Sequence, residues 1–226
     1  MWFSLPYFLS YFLQTLYGLA DLFIIGQFGT KADVTSVSVG SQVMHILTVM
    51  IVGLAMGATV TIGRAVGARD DKLAASAVGG TAAVFMAGSV VLTAALLLLR
   101  TPVAQAMATP AQAMDGTVRY LTVCFAGIPF ITAYNVISSI LRGLGDSKSP
   151  MYFIAAACAV NIGLDCLFMG ALGLGPAGAA LGTVISQAVS VALALAVMLR
   201  KKGGVKLSRA DFAPKRAVIG TIMRIG

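Results

Sequence analysis

The stretch 150–175, "PMYFIAAACAVNIGLDCLFMGALGLG", decides how the chain is read. It holds no lysine or arginine, yet it carries one carboxylate, Asp165, with Asn161 four residues before it. Crossing about 30 Å of hydrocarbon takes roughly 20 residues of helix. Two further runs also reach that length, "AASAVGGTAAVFMAGSVVLTAALLLL" (74–99) and "PAGAALGTVISQAVSVALALAVML" (176–199).

Composition extends the reading to the whole chain. Of 226 residues, 58% are hydrophobic and 11% charged, with a mean hydropathy of +0.92. Soluble domains carry about 25% charged residues, too many to match this chain. We therefore expect an all-α, polytopic membrane bundle with six spans, near 6–29, 36–62, 75–99, 117–141, 150–172 and 178–199. The opening "MWFSLPYFLSYFLQTLYGLADLFIIG" lacks a basic leading segment and a small-residue cleavage site, so it reads as a span rather than a signal peptide.

Basic residues set the expected orientation. They gather after spans 2, 4 and 6: Arg64, Arg69 and Lys72; Arg142 and Lys148; then Arg200, Lys201, Lys202, Lys206, Arg209, Lys215 and Arg216. The other loops hold little beyond Lys31 and Arg100. Positive loops stay in the cytoplasm, which places both ends of a six-span unit (1–202), including the amino terminus, inside the cell. Residues 203–226 then read as a basic cytoplasmic linker. The net charge of +8 is a topology signal. Nucleic acid is not an expected partner, because no aromatic or glycine-rich recognition element accompanies the basic cluster.

The chain is not expected to be an enzyme or to carry a cofactor. It has no GKS or GKT phosphate loop, HExxH zinc helix, GxSxG elbow, or GxGxxG following a strand. Cys124, Cys158 and Cys166 lie in apolar spans without metal-like spacing and read as small packing residues. The lone His45, in "SQVMHILTV", reads as a packing histidine, with a lumen-facing polar residue as the alternative.

Asn161 and Asp165 share one helical face at i and i+4. A second carboxylate, Asp21, follows Tyr17 by the same interval, with Gln14 a turn further back. The segments "GLADLFIIGQFG" (18–29) and "IGLDCLFMGALG" (162–173) align Asp21, Gly26 and Gly29 with Asp165, Gly170 and Gly173. A carboxylate in hydrocarbon must be paired, protonated or bound to a cation. No lysine or arginine occupies the middle of any span, which leaves a proton or a small cation such as Na⁺. A packing cluster of polar side chains is the alternative.

Four stretches carry a family resemblance: "LYGLADLFIIGQFG" (16–29), "RAVGARD" (64–70), "RGLGDSKSP" (142–150) and "NIGLDCLFMGALGLGPAGAALGTVISQ" (161–187). With them the chain resembles, over 6 to about 202, the first half of a multidrug and toxic compound extrusion (MATE) transporter. "RIG" at 224–226 resembles the start of a seventh span. The resemblance implies one lobe of a two-lobe transporter in the plasma (inner) membrane, whose second six-helix lobe is absent from this chain. It implies secondary efflux of amphipathic or cationic organic compounds, in exchange for H⁺ or Na⁺. It further implies a cation or proton site at Asp21, Asn161, Asp165 and Thr183, the same four serving as metal ligands if the ion is Na⁺. Tyr17, Tyr120 and Asn135 would support the site or cavity, and Pro6 would bend the first span. The alternatives are a lipid-linked precursor flippase of the wider superfamily and a non-transporting membrane fragment. A flippase would be expected to line its cavity with several basic residues for a pyrophosphate, and no lysine or arginine occupies the middle of a span.

Overall fold

Short polar breaks set the helix ends in the computed structural model, which describes residues 4–200, 211 and 220–222. The first helix, α1, covers Ser4–Phe28. Thr30 caps α2 (Lys31–Gly67): its hydroxyl accepts from the Asp33 amide at 3.2 Å, and the Asp33 carboxylate accepts from the Thr30 amide at 2.9 Å. Two amides without partners inside the helix are thereby satisfied. Asp70 caps α3 (Asp71–Ala106) through the Leu73 amide at 2.9 Å. Asp146 accepts from the amides of Lys148 and Ser149 at the head of α6 (Lys148–Asp165).

The fourth span departs from expectation. A single helix over 117–141 is replaced by α4 (Met114–Ala126) and α5 (Ile128–Gly143), which meet at 49°. Pro129, the second residue of α5, has no amide hydrogen to carry the ladder across the break. The amides of Phe130 and Ile131 both turn to the Gly127 carbonyl, at 3.0 and 3.2 Å. Among the described residues five helices are each long and apolar enough to cross a membrane, and the bent pair, taken as one span, makes a sixth. Helices α2 and α3 also run past the expected 36–62 and 75–99, and α3 contains Pro102.

The fifth span changes character directly after Asp165. Residues Cys166–Ala171 form a π-helical segment, and Leu172 donates to Leu167 and Leu174 to Phe168, both at 2.9 Å. This wider winding carries one residue more than an α-turn and recurs at functional sites. Gly173 (φ +62°) and Gly175 (φ +56°) then adopt left-handed backbone, which residues with a Cβ disfavour, and turn the chain into α7 (Gly175–Arg200).

All regular elements among the described residues are helical. Helix α2 packs on α3, α4 and α5, while α6 packs on α1 and α7, and α7 closes against α4 and α5. One core gathers Ile25, Val37, Leu121, Phe125 and Ile128, and another gathers Ala58, Ile62, Ala77, Val78, Val136 and Ile140. Most of 203–226, including the expected linker and "RIG", lies outside the described residues. Within it, Ile222 is buried in the second core.

The outward faces are of two kinds. Helices α3, α6 and α7 expose apolar side chains such as Val91, Leu98, Ile162 and Leu195, as contact with lipid requires. Helix α2 exposes Ser38, Gln42 and His45, at i, i+4 and i+7, next to the apolar Ile46, Val49 and Met50. His45 is therefore not the packing histidine expected from its isolation in the sequence. Cys124 and Cys158 are buried as expected, but Cys166, in the π segment, is exposed.

Candidate functional site

Asp21 and Asp165 are the acids that lie within spans. The others described sit at helix ends or in loops, as Asp33, Asp70 and Asp146 do. Asp21 is 2% exposed, and Asn161 and Asp165 are fully buried. The packing of α1 on α6 and α7 brings all three side chains together, so that each carboxyl lies against the other and against the Asn161 amide. Thr183, on α7, donates to Asp21 Oδ2 at 3.2 Å.

Few of the polar atoms at this junction find a well-formed partner. Asp21 Oδ1, both oxygens of Asp165, and the Asn161 amide oxygen and nitrogen are all buried without a hydrogen bond of good geometry. Buried polar atoms are rarely left so. Among the described residues no lysine or arginine forms an ion pair with either carboxylate. The ion pair Arg119–Asp115, at 2.9 Å, lies on the exposed surface of α4. Chemically, the cluster is a set of hard oxygen donors carrying negative charge in a dry setting, suited to a proton or a small desolvated cation.

Tyr17 flanks the pair. Its hydroxyl lies 2.8 Å from Ser186 Oγ and 3.0 Å from the Thr183 carbonyl. Ser186 in turn donates to the Gly182 carbonyl one turn earlier. If Tyr17 donates to Ser186 and Ser186 to Gly182, each hydroxyl hydrogen is used once. Gly182 itself faces the carboxylate: a Cβ built there would collide with Asp165 Oδ1 and come within 3.4 Å of Asn161 Nδ2.

The remaining expected residues stand apart. Tyr120, on α4, is buried over Gly40 of α2, its hydroxyl beside the Cys124 thiol and within electrostatic range of Asp21. Asn135, buried on α5, turns its amide nitrogen back to the Ile131 carbonyl at 2.8 Å and makes no hydrogen bond to the carboxylates. Pro6 falls in the first turn of α1, about 16 Å along the helix from Tyr17 at 1.5 Å per residue. Its side chain lies outside those described.

Comparison with known proteins places this geometry. A family model, MatE, matches residues 6–167. The chain belongs to the MatE family. It is 30% identical over 223 residues to a probable multidrug resistance protein NorM of Thermotoga maritima, covering 95% of this chain and 47% of that protein. It is 32% identical over 201 residues to a probable multidrug resistance protein YpnP of Bacillus subtilis, covering 88% and 45%. A crystal structure of MATE in the bent conformation superposes with a TM-score of 0.90 at 29% identity, covering 98% of this chain and 50% of that one. The chain thus spans about half the length of the curated relatives it matches. It is one all-α lobe of a multi-pass membrane transporter fold.

Sequence reasoning missed three parts of this cluster's surroundings: Ser186, Gly182 and the π segment. Ser186 lies in the quoted "VISQ", where a serine on a glycine- and alanine-rich helix carries no distinguishing pattern. Gly182 belongs to "GAALG", which resembles any small-residue packing face.

Proposed function

We propose that this chain is the cation-binding amino-terminal lobe of a secondary multidrug antiporter, which exports amphipathic or cationic organic compounds in exchange for H⁺ or Na⁺. The observation that carries this reading is the Asp21–Asp165 pair. Two carboxylates held side by side in a dry bundle, with oxygens unsatisfied and no cationic side chain among the described residues beside them, require a mobile positive charge. The names of the relatives, multidrug resistance and export proteins, support the exported class.

The roles follow from position. Asp21 and Asp165 take the ion, and Asn161 and Thr183 supply neutral oxygens beside them. Tyr17 holds α1 to α7 through Ser186. Tyr120 and Asn135 belong to the surrounding wall, and Pro6 supplies bending at the start of α1. Ion entry draws α1, α6 and α7 together around one charge, and ion loss releases that attraction. A ligand shifts an equilibrium only by its differential affinity for the two states. Exchange therefore requires that ion and drug favour opposite arrangements of these helices.

The lobe works, in this reading, with a second six-helix lobe in the plasma membrane, its amino terminus and basic loops in the cytoplasm. The polar face of α2 supports that partner. Ser38, Gln42 and His45 are exposed on a helix of spanning length, and lipid is a poor neighbour for them. A water-filled cleft between two lobes is a suitable one.

The test is ethidium efflux from cells carrying the chain joined to a compatible second lobe, driven by an imposed pH or Na⁺ gradient. Asp21→Asn and Asp165→Asn are each expected to abolish the gradient-driven component. Full gradient-dependent efflux in both variants would remove the carboxylates from the mechanism.

A further inference from the structure

We infer that Gly182 is a positioning residue for the carboxylate pair, its missing side chain being the space into which Asp165 turns to meet Asp21. The inference rests on the ion-site reading above and extends it to a residue that holds no ligand atom of its own.

Three observations converge on this position. First, Gly182 is buried within α7, where glycine is the poorest helix former after proline. Second, its Cα faces the site: an added Cβ would collide with Asp165 Oδ1, lie 3.3 Å from Asp165 Cγ, and lie 3.4 Å from Asn161 Nδ2. The clash falls on the short, buried carboxylate and not on the end of a long flexible chain. Third, the Gly182 carbonyl accepts from Ser186, one turn later on the same face of α7, and Ser186 also contacts Tyr17. The turn that carries Gly182 is therefore tied to α1 beside the carboxylates. Its neighbour Thr183 donates to Asp21, so a shift of this turn would move a second member of the cluster.

Not every glycine in the site region is equivalent. Gly163, between Asn161 and Asp165 on α6, has nothing within 4 Å of an added Cβ. It is the natural control: alanine there brings the same gain in helix propensity with nothing in its way.

The experiment is thermal unfolding of the purified chain in detergent at fixed scan rate, with NaCl or choline chloride and across a pH series. It compares wild type, Gly182→Ala, Asp165→Ala, their combination, and Gly163→Ala. Gly182→Ala is expected to lower the midpoint by about 3 °C or more, while Gly163→Ala leaves it unchanged or raises it. With Asp165→Ala already in place, Gly182→Ala should cost nothing further, since the colliding carboxylate is gone. A purely structural role would not predict the second readout: in Gly182→Ala the Na⁺ concentration for half-maximal stabilisation should rise at least about tenfold, as for loss of an outer support of a metal ligand. If the stabilising ion is H⁺, the pH dependence should shift in place of the Na⁺ dependence. An equal loss of stability with and without Asp165, or an unaltered ion response, would overturn the positioning role. A wild-type chain responding to neither ion would overturn the proposed ion site instead, and the Asp165 cycle would still decide whether Gly182 makes room for that side chain.

Discussion

Asp21 and Asp165 stand out from sequence because a carboxylate in an apolar span is costly wherever it faces, so its presence alone marks a candidate site. Their supporting residues do not announce themselves in this way. Tyr17 can be placed on the face of Asp21 by counting, but its partner Ser186 is 169 positions away in the chain and on a different helix. The difference is physical: charge burial is a property of one residue and its surroundings, whereas a hydrogen bond across helices depends on their mutual rotation. Tyr17→Phe removes the hydroxyl that spans α1 and α7. It is expected to destabilise the lobe by about 0.6–1 kcal/mol, the usual range for such bonds in membrane helices and in proteins generally. Thermal unfolding of Tyr17→Phe, Ser186→Ala and the double variant measures this, and the double should cost less than the sum of the singles.

The elements follow the same division. Helix ends at Thr30, Asp70 and Asp146 are written locally, since a short polar side chain satisfies the amides of the turn that follows it. The break in the fourth span was open to reading in "CFAGIPF" (124–130), where Pro129 interrupts the ladder. Its 49° angle was not, because that depends on what the bent helix leans against. Gly127 lies directly on Val184 of α7, the residue after Thr183. Gly127→Ala puts a methyl group into that contact and is expected to cost about 1–3 kcal/mol, as overpacking does. Trimming the partner with Val184→Ala should recover most of the loss in a thermal melt. Failure to recover would place the strain in the backbone of the bend rather than in the contact. The π segment after Asp165 has no comparable local signature: the left-handed glycines at 173 and 175 mark its exit, and nothing in 166–171 marks its winding.

At the scale of the whole molecule, the informative surface is the one that is not apolar. Lipid accounts for the exposed faces of α3, α6 and α7, but not for Ser38, Gln42 and His45 on α2. In a Cys166→Ser background, Gln42→Cys is expected to react with a hydrophilic maleimide in membranes containing the two-lobe protein. Leu98→Cys, at 84% exposure on the face of α3, should stay unreactive, because a thiol needs water to ionise and react. Equal reactivity at both positions would assign the α2 stripe to the lipid boundary.

What the sequence determined by itself was the membrane class, the six spans and the two acids, each set by hydropathy or charge along a continuous stretch and insensitive to how the helices are turned. Only the tertiary structure decided that Asp21 and Asp165 touch, that Ser186 and Gly182 complete their surroundings, by what angle the fourth span bends, and that His45 faces outward. All four depend on the rotation and approach of helices distant in the chain. With lipid as apolar as the helices themselves, that geometry is set by close packing and a few interhelical hydrogen bonds, neither of which leaves a periodic trace in the order of the residues.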